Sequence, residues 1–168
     1  VARAAIGRTP YYMAIARVLA ARGLFPRLTA ARDPRVALLD SYREGLVTRA
    51  LAPAAGLSQK TRETVLKHLE AVAFVCIADV QDEQEVARRA TALGAEPPEM
   101  PYPELFDLAR RLTILESRYD GQIHFAHPTT LAYFAARFVR TTGCIDSWTE
   151  ELAACPRLRP IVITALTL

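Results

Sequence analysis

Residues Leu115 to Phe138 read LESRYDGQIHFAHPTTLAYFAARF, and the fold turns on how this stretch is parsed. Asp120-Gly121 lies between two short strand-like segments, Arg118-Tyr119 and Gln122-Ile123-His124-Phe125. Both central positions of a two-residue type I′ turn need positive φ, which Asp-Gly tolerates well, so the stretch predicts a short β-hairpin at about 118–125. His127-Pro128 follows, and then an alanine- and aromatic-rich run. Proline suits the first helical position, where its missing N–H would have had no intrahelical partner. His127 is therefore the expected N-cap of a helix that runs to about Arg140. The N–H groups of Thr129 and Thr130 are then expected to point out of the helix start, where the partial positive charge of the helix end favours anions. A histidine beside such a start is placed either to address a phosphate or to serve as a plain helix cap or a core histidine bonded to backbone.

Upstream, the same cap-then-proline pattern recurs. Gly7 stops a first short segment, VARAAIG, and Thr9-Pro10 opens a helix toward Gly23, with Tyr11, Ile15, Val18 and Leu19 at helical spacing. Asp33-Pro34 opens a second, expected to reach about Leu51 with Leu38, Leu39, Tyr42, Leu46 and Val47 on its packed face. Ala52-Pro53-Ala54-Ala55-Gly56 is a small-residue break and the predicted domain boundary. Ser58 caps the longest apolar-periodic run, LSQKTRETVLKHLEAVAFVCIADV, whose second half is apolar almost all round and so belongs in a core. His68, next to Lys67, is expected on its solvated side. A shorter helix starts near Asp82, and prolines 97, 98, 101 and 103 impose an extended connector. Glu104 to Leu115 reads as the helix that leads into the hairpin. Beyond Gly143, Ser147 caps a short helix broken by Pro156.

The expectation is a mainly α protein in three parts: residues 1–55, the end of a helical domain; 56–143, a winged-helix-like domain; and 144–168, the start of a further helical domain. The order helix, helix, helix, hairpin, helix is that of a winged helix with one extra helix behind the wing.

Composition narrows the function. The chain has 168 residues, about half of them apolar, and a formal net charge of +3 with its acids dispersed. No basic block of the kind that marks nucleic-acid or membrane-surface binders occurs. No apolar run approaches the roughly 18 residues that suggest a membrane span, and no signal peptide opens the chain. Three cysteines, Cys76, Cys144 and Cys155, form no CxxC pair, which reads as a reduced, cytoplasmic protein. Only seven glycines occur, and none builds a phosphate loop. His124 and His127 have no partner at metal-ligand spacing, and no Ser/His/Asp or Cys/His set stands on recognisable elements. This segment is not expected to catalyse a reaction by itself. Val1 is not methionine, and the chain opens and closes in apolar runs, so both ends read as cut from a longer protein.

Residues 125–136, Phe-Ala-His-Pro-Thr-Thr-Leu-Ala-Tyr-Phe-Ala-Ala, resemble the winged-helix signature of NACHT-type STAND ATPases, which are signal-transducing P-loop proteins. Phe125, His127, Thr129, Ala135 and Ala136 fit the pattern, as do Leu131 or Thr130 and Tyr133 or Phe134. Ala132 departs from it, standing where the family usually has glutamate. Gly7-Arg8-Thr9-Pro10 is similar to the proline segment of that family's first helical domain, and LLDSYREGLVTRAL to the helix after it. The resemblance implies that His127 senses the β-phosphate of ADP, that Pro10 packs on the adenine, and that Arg8 and Thr129 add nucleotide contacts. It also implies ADP/ATP as ligand, with magnesium held by a P-loop domain that precedes Val1. The further partners implied are a homo-oligomer on activation and a C-terminal repeat or sensor domain. A DNA-binding winged-helix module is the alternative, with Arg110 and Arg111 on the reading helix and Arg118 on the wing; a non-catalytic helical scaffold is a third.

Overall fold

The structure, a computed structural model, describes residues 9–24, 33–47, 59–78, 80–93, 100–143 and 163–164. Its described residues are mainly helical, and their β structure is confined to two isolated antiparallel bridges. The chain forms two compact units that meet in sequence between Leu57 and Ser58.

In the first unit, α1 (Pro10–Ala21) starts with proline at its first turn and Thr9 extended at the N-cap (φ −123°, ψ 113°). Thr9 makes no side-chain cap; its carbonyl accepts from the Met13 amide at 3.2 Å. α2 (Pro34–Tyr42) is capped as its sequence predicts, Asp33 Oδ1 accepting from the Arg35 amide at 2.8 Å. The two helices pack together, burying Ile15 and Leu19 of α1 and Leu38, Leu39 and Tyr42 of α2. After Tyr42 the α-helix gives way to a π-helical turn, Arg43–Val47, where a continuous helix was expected. Gly45 sits in that turn, and a Cβ there would come within 2.8 Å of Leu24 Cδ1. Residues 48–58, which hold the predicted break, lie outside the described residues.

The second unit is built on α3 (Gln59–Ile77), which packs along α6 (Pro128–Thr142) and against α4 (Glu83–Leu93). Val65, Leu66, Leu69 and Val72, the stripe expected from the sequence, are all buried. Each such side chain contributes about 1.5–3 kcal/mol. Phe74 and Phe138 stack between α3 and α6 with ring centroids 4.9 Å apart. Glu70, 1% exposed, faces Arg137 of α6 at 3.6 Å. α5 (Tyr102–Arg111) buries Leu105, Phe106, Leu108 and Ala109. Its Tyr102 hydroxyl lies 3.0 Å from His68 Nδ1. His68 is therefore not on a solvated face: it is 3% exposed, a core residue satisfied by a tyrosine 34 positions away.

The wing differs in register from the local reading. Leu115 bridges Phe125, the Glu116 amide donates to the His124 carbonyl at 2.8 Å, and the Ala126 amide donates to the Ile114 carbonyl at 3.0 Å. Pairing thus joins 114–116 to 124–126, so the second arm overlaps its predicted place while the first falls before Arg118-Tyr119. Gly121 has positive φ (78°), but Asp120 does not, so no type I′ turn forms. Instead Asp120 Oδ1 accepts from the Gln122 amide at 3.1 Å, an Asx-type turn. The physical reason for the shift is a third segment. The Ile123 amide donates to the Gln81 carbonyl at 2.6 Å, the Glu83 amide donates to the Gly121 carbonyl at 2.9 Å, and Asp82 bridges Gln122. Residues 121–126 are thereby flanked by 81–83 on one side and 114–116 on the other. In chain order α3, α4 and α5 precede this β structure and α6 follows it. The proposed third part, 144–168, lies outside the described residues except for 163–164.

Candidate functional site

His127 holds the N-cap of α6 in extended conformation (φ −150°, ψ 137°), with Pro128 in the first turn as expected. Its Nδ1 accepts from the Thr129 amide at 3.1 Å. Its carbonyl accepts from the Thr130 and Leu131 amides at 3.0 and 3.2 Å. The helix start is therefore internally satisfied, and the expectation that the Thr129 and Thr130 N–H groups point outward is corrected. The reason is that an imidazole nitrogen serves as a cap acceptor in the same way as an aspartate oxygen. An acceptor at Nδ1 puts the ring proton of neutral histidine on Nε2. Burial holds the His127 pKa below its ordinary value and favours that neutral form. An anion met by neutral His127 is thus met by Nε2–H, with the amides remaining committed to the cap.

The four residues singled out from sequence separate as follows. His127 and Thr129 are joined directly by the cap bond. Pro10 is exposed at the start of α1, in the other compact unit. Arg8 lies outside the described residues.

Beside the start of α6 lies a half-open cavity of about 210 Å³. Buried Cys76 and Ile123 line it together with Phe125, Pro128 and Leu131, and its polar groups are Gln81, Glu116 and His124. It forms where the last turn of α3, the segment before α4, the wing base and the first turns of α6 converge. Glu116 is paired with Arg118 at 2.9 Å, and His124 Nε2 lies 3.7 Å from Asp120 Oδ2. Local sequence reading had no means of assembling this group. Gln81 carries no signal, and Glu116 reads only as a neighbouring charge. Cys76 and His124 do not make a nucleophilic pair, because burial pushes the thiol pKa up to about 12 and keeps it protonated.

Arg110, named from sequence for a DNA-reading helix, is only 5% exposed. Its guanidinium is ion-paired with Glu83, faces Asp107 at 3.5 Å and lies 4.6 Å from the ring centroid of Tyr119. That charge is committed inside the unit. Arg111 remains exposed. Among the described residues no group of three or more His, Cys, Asp or Glu side chains could hold a metal ion, and no helix is long and apolar enough to cross a membrane. Compared with known proteins, the chain matches no family model, no curated protein and no solved structure.

Proposed function

We propose that this chain is the regulatory part of a NACHT-like nucleotide switch, in which the winged-helix-like unit holds an ADP-bound closed state through His127. The supporting observation is that the helix after the wing begins on a histidine fixed as an Nε2–H donor, within a 125–136 segment that resembles the family's signature. A P-loop domain before this chain would bind the nucleotide and its magnesium ion. Pro10 would pack on the adenine, Arg8 would add a weaker phosphate contact and Thr129 would keep the sensor ring oriented. Exchange of ADP for ATP would remove the β-phosphate contact, release the unit and permit homo-oligomerisation in a cytoplasmic signalling role.

The magnitude is adequate for a switch. A hydrogen bond to a charged phosphate contributes about 1.5–3 kcal/mol, and a difference of that size between two states moves their ratio by about one to two orders of magnitude. The catalytic machinery for hydrolysis would lie in the P-loop domain, and this segment would act on the lifetime of the closed state. Ala132 supplies no carboxylate, so closure would have no ion pair at that position.

The test is nucleotide retention in the full-length protein. His127→Asn keeps a cap-competent side chain but shortens the reach to the phosphate, whereas His127→Ala removes both. Both variants are expected to purify with less ADP and to oligomerise without a trigger. Undiminished ADP together with an unchanged oligomeric state would rule the reading out.

A further inference from the structure

The geometry points to a small-molecule site in the cavity between the last turn of α3, the wing base and the start of α6, built for a planar single-ring aromatic cation with two adjacent N–H donors. The cavity, about 210 Å³, holds one ring and few substituents. Its apolar lining, with Phe125 and Leu131 beside the buried Ile123, suits an aromatic face. Its one formally charged lining group is Glu116, which as a carboxylate only accepts. The group that satisfies it now is a forked cation: Arg118 Nε lies 2.9 Å from Glu116 Oε2. A carboxylate takes two parallel N–H donors best, as an amidine or an aminopyridinium offers them.

Two further features favour this class of guest. Cys76 belongs to the last turn of α3, the helix end that carries partial negative charge. Gln81 and His124 each have an acceptor as well as a donor, so neither demands an anionic guest. Arg118 is no obstacle, because its side chain is 66% exposed and such surface pairs are weak. A guest that enters the cavity keeps the carboxylate satisfied and removes aromatic surface from water as well.

The test is a titration of the full 168-residue chain with benzamidine, followed by amide NMR shifts. Shifts are expected at Ile123, His124, Phe125 and Leu131, saturating at millimolar benzamidine. Glu116→Gln should weaken binding at least fivefold. Arg118→Ala removes the internal competitor and should tighten binding by about two- to fivefold, a gain that a purely structural role for the Glu116–Arg118 pair would not produce. Leu131→Phe fills the cavity from an intermediate position on α6 and should abolish the shifts. Benzoate serves as the anionic control and is expected not to bind. Absence of localised shifts with benzamidine overturns the site. Equal binding of benzoate, or weaker benzamidine binding in Arg118→Ala, overturns the proposed ligand class.

Discussion

The guanidinium of Arg110 is ion-paired with the carboxylate of Glu83, although 5% of the arginine side chain but 29% of the glutamate side chain meets solvent. The two partners are therefore not equivalent to lose. Removing Arg110 leaves a carboxylate that water can still reach; removing the carboxylate leaves a buried cation that, among the described residues, faces Asp107 and the Tyr119 ring. Glu83→Gln is expected to destabilise the unit by about 2–3 kcal/mol, and Arg110→Met, which keeps most of the volume, by about 1–2 kcal/mol. Urea unfolding of the two variants checks the order. Arg110→Met proving the more damaging would mean that packing against Tyr119, not charge, holds the wing.

His127 gives the second prediction, with a sign that follows from its role. The folded state needs Nδ1 unprotonated to accept from Thr129, and burial places the folded pKa below the unfolded value near 6.5. In the interval between those two values the unfolded state binds more protons, so stability rises with pH there. The contribution is complete above the unfolded value and is lost as pH falls through the folded one. His127→Asn should keep the cap and remove this dependence, whereas His127→Ala should cost about 1 kcal/mol at neutral pH. A stability–pH curve that is identical for wild type and His127→Asn would contradict the cap as described.

Cys76 supplies a chemical test of burial. With its thiol pKa pushed up to about 12, almost no thiolate exists at pH 8 in the folded protein. In a chain carrying Cys144→Ser and Cys155→Ser, iodoacetamide should label Cys76 orders of magnitude more slowly than it labels the urea-unfolded chain. Mass spectrometry over time gives both rates. Rapid labelling of the folded chain would show that the cavity exposes the sulfur far more than its 8% exposure suggests.

How much of this was legible in the sequence depends on the range of the interaction. Asp33-Pro34 and His127-Pro128 announced helix starts because a cap and a proline act on their own backbone within three residues. The Val65, Leu66, Leu69 and Val72 stripe was legible because helical periodicity is local. His68 was misplaced because its partner, Tyr102, comes from another helix, and periodicity does not foretell a tertiary hydrogen bond. The wing register failed for a similar reason. Asp120-Gly121 argues for a tight turn, but the pairing of Gly121 and Ile123 with residues 81–83 outweighs that preference. The candidate site divides the same way: His127 was found from its local cap chemistry, whereas Gln81, Glu116 and His124 converge only in three dimensions.

Thr113 offers the last prediction. It follows α5 with φ +57°, the sole non-glycine residue among those described with positive φ, and it is β-branched. Its amide donates to the Arg110 carbonyl at 2.9 Å, and the next amide, of Ile114, donates to the Ala109 carbonyl at 2.9 Å. The chain therefore leaves the helix through a left-handed residue, a position that glycine or asparagine fills more readily. A β-branched side chain there costs on the order of 1 kcal/mol. Thr113 is exposed, so its replacement sacrifices little packing. Thr113→Asn is expected to stabilise the unit by about 0.5–1 kcal/mol, and Thr113→Gly by less, because glycine also gains freedom in the unfolded chain. Thr113→Pro should be strongly destabilising, since proline fixes φ near −65° and removes the amide that closes the turn. Denaturant midpoints for the three variants decide the matter. A loss of stability in Thr113→Asn would mean that the threonine makes a compensating contact worth more than the strain it bears.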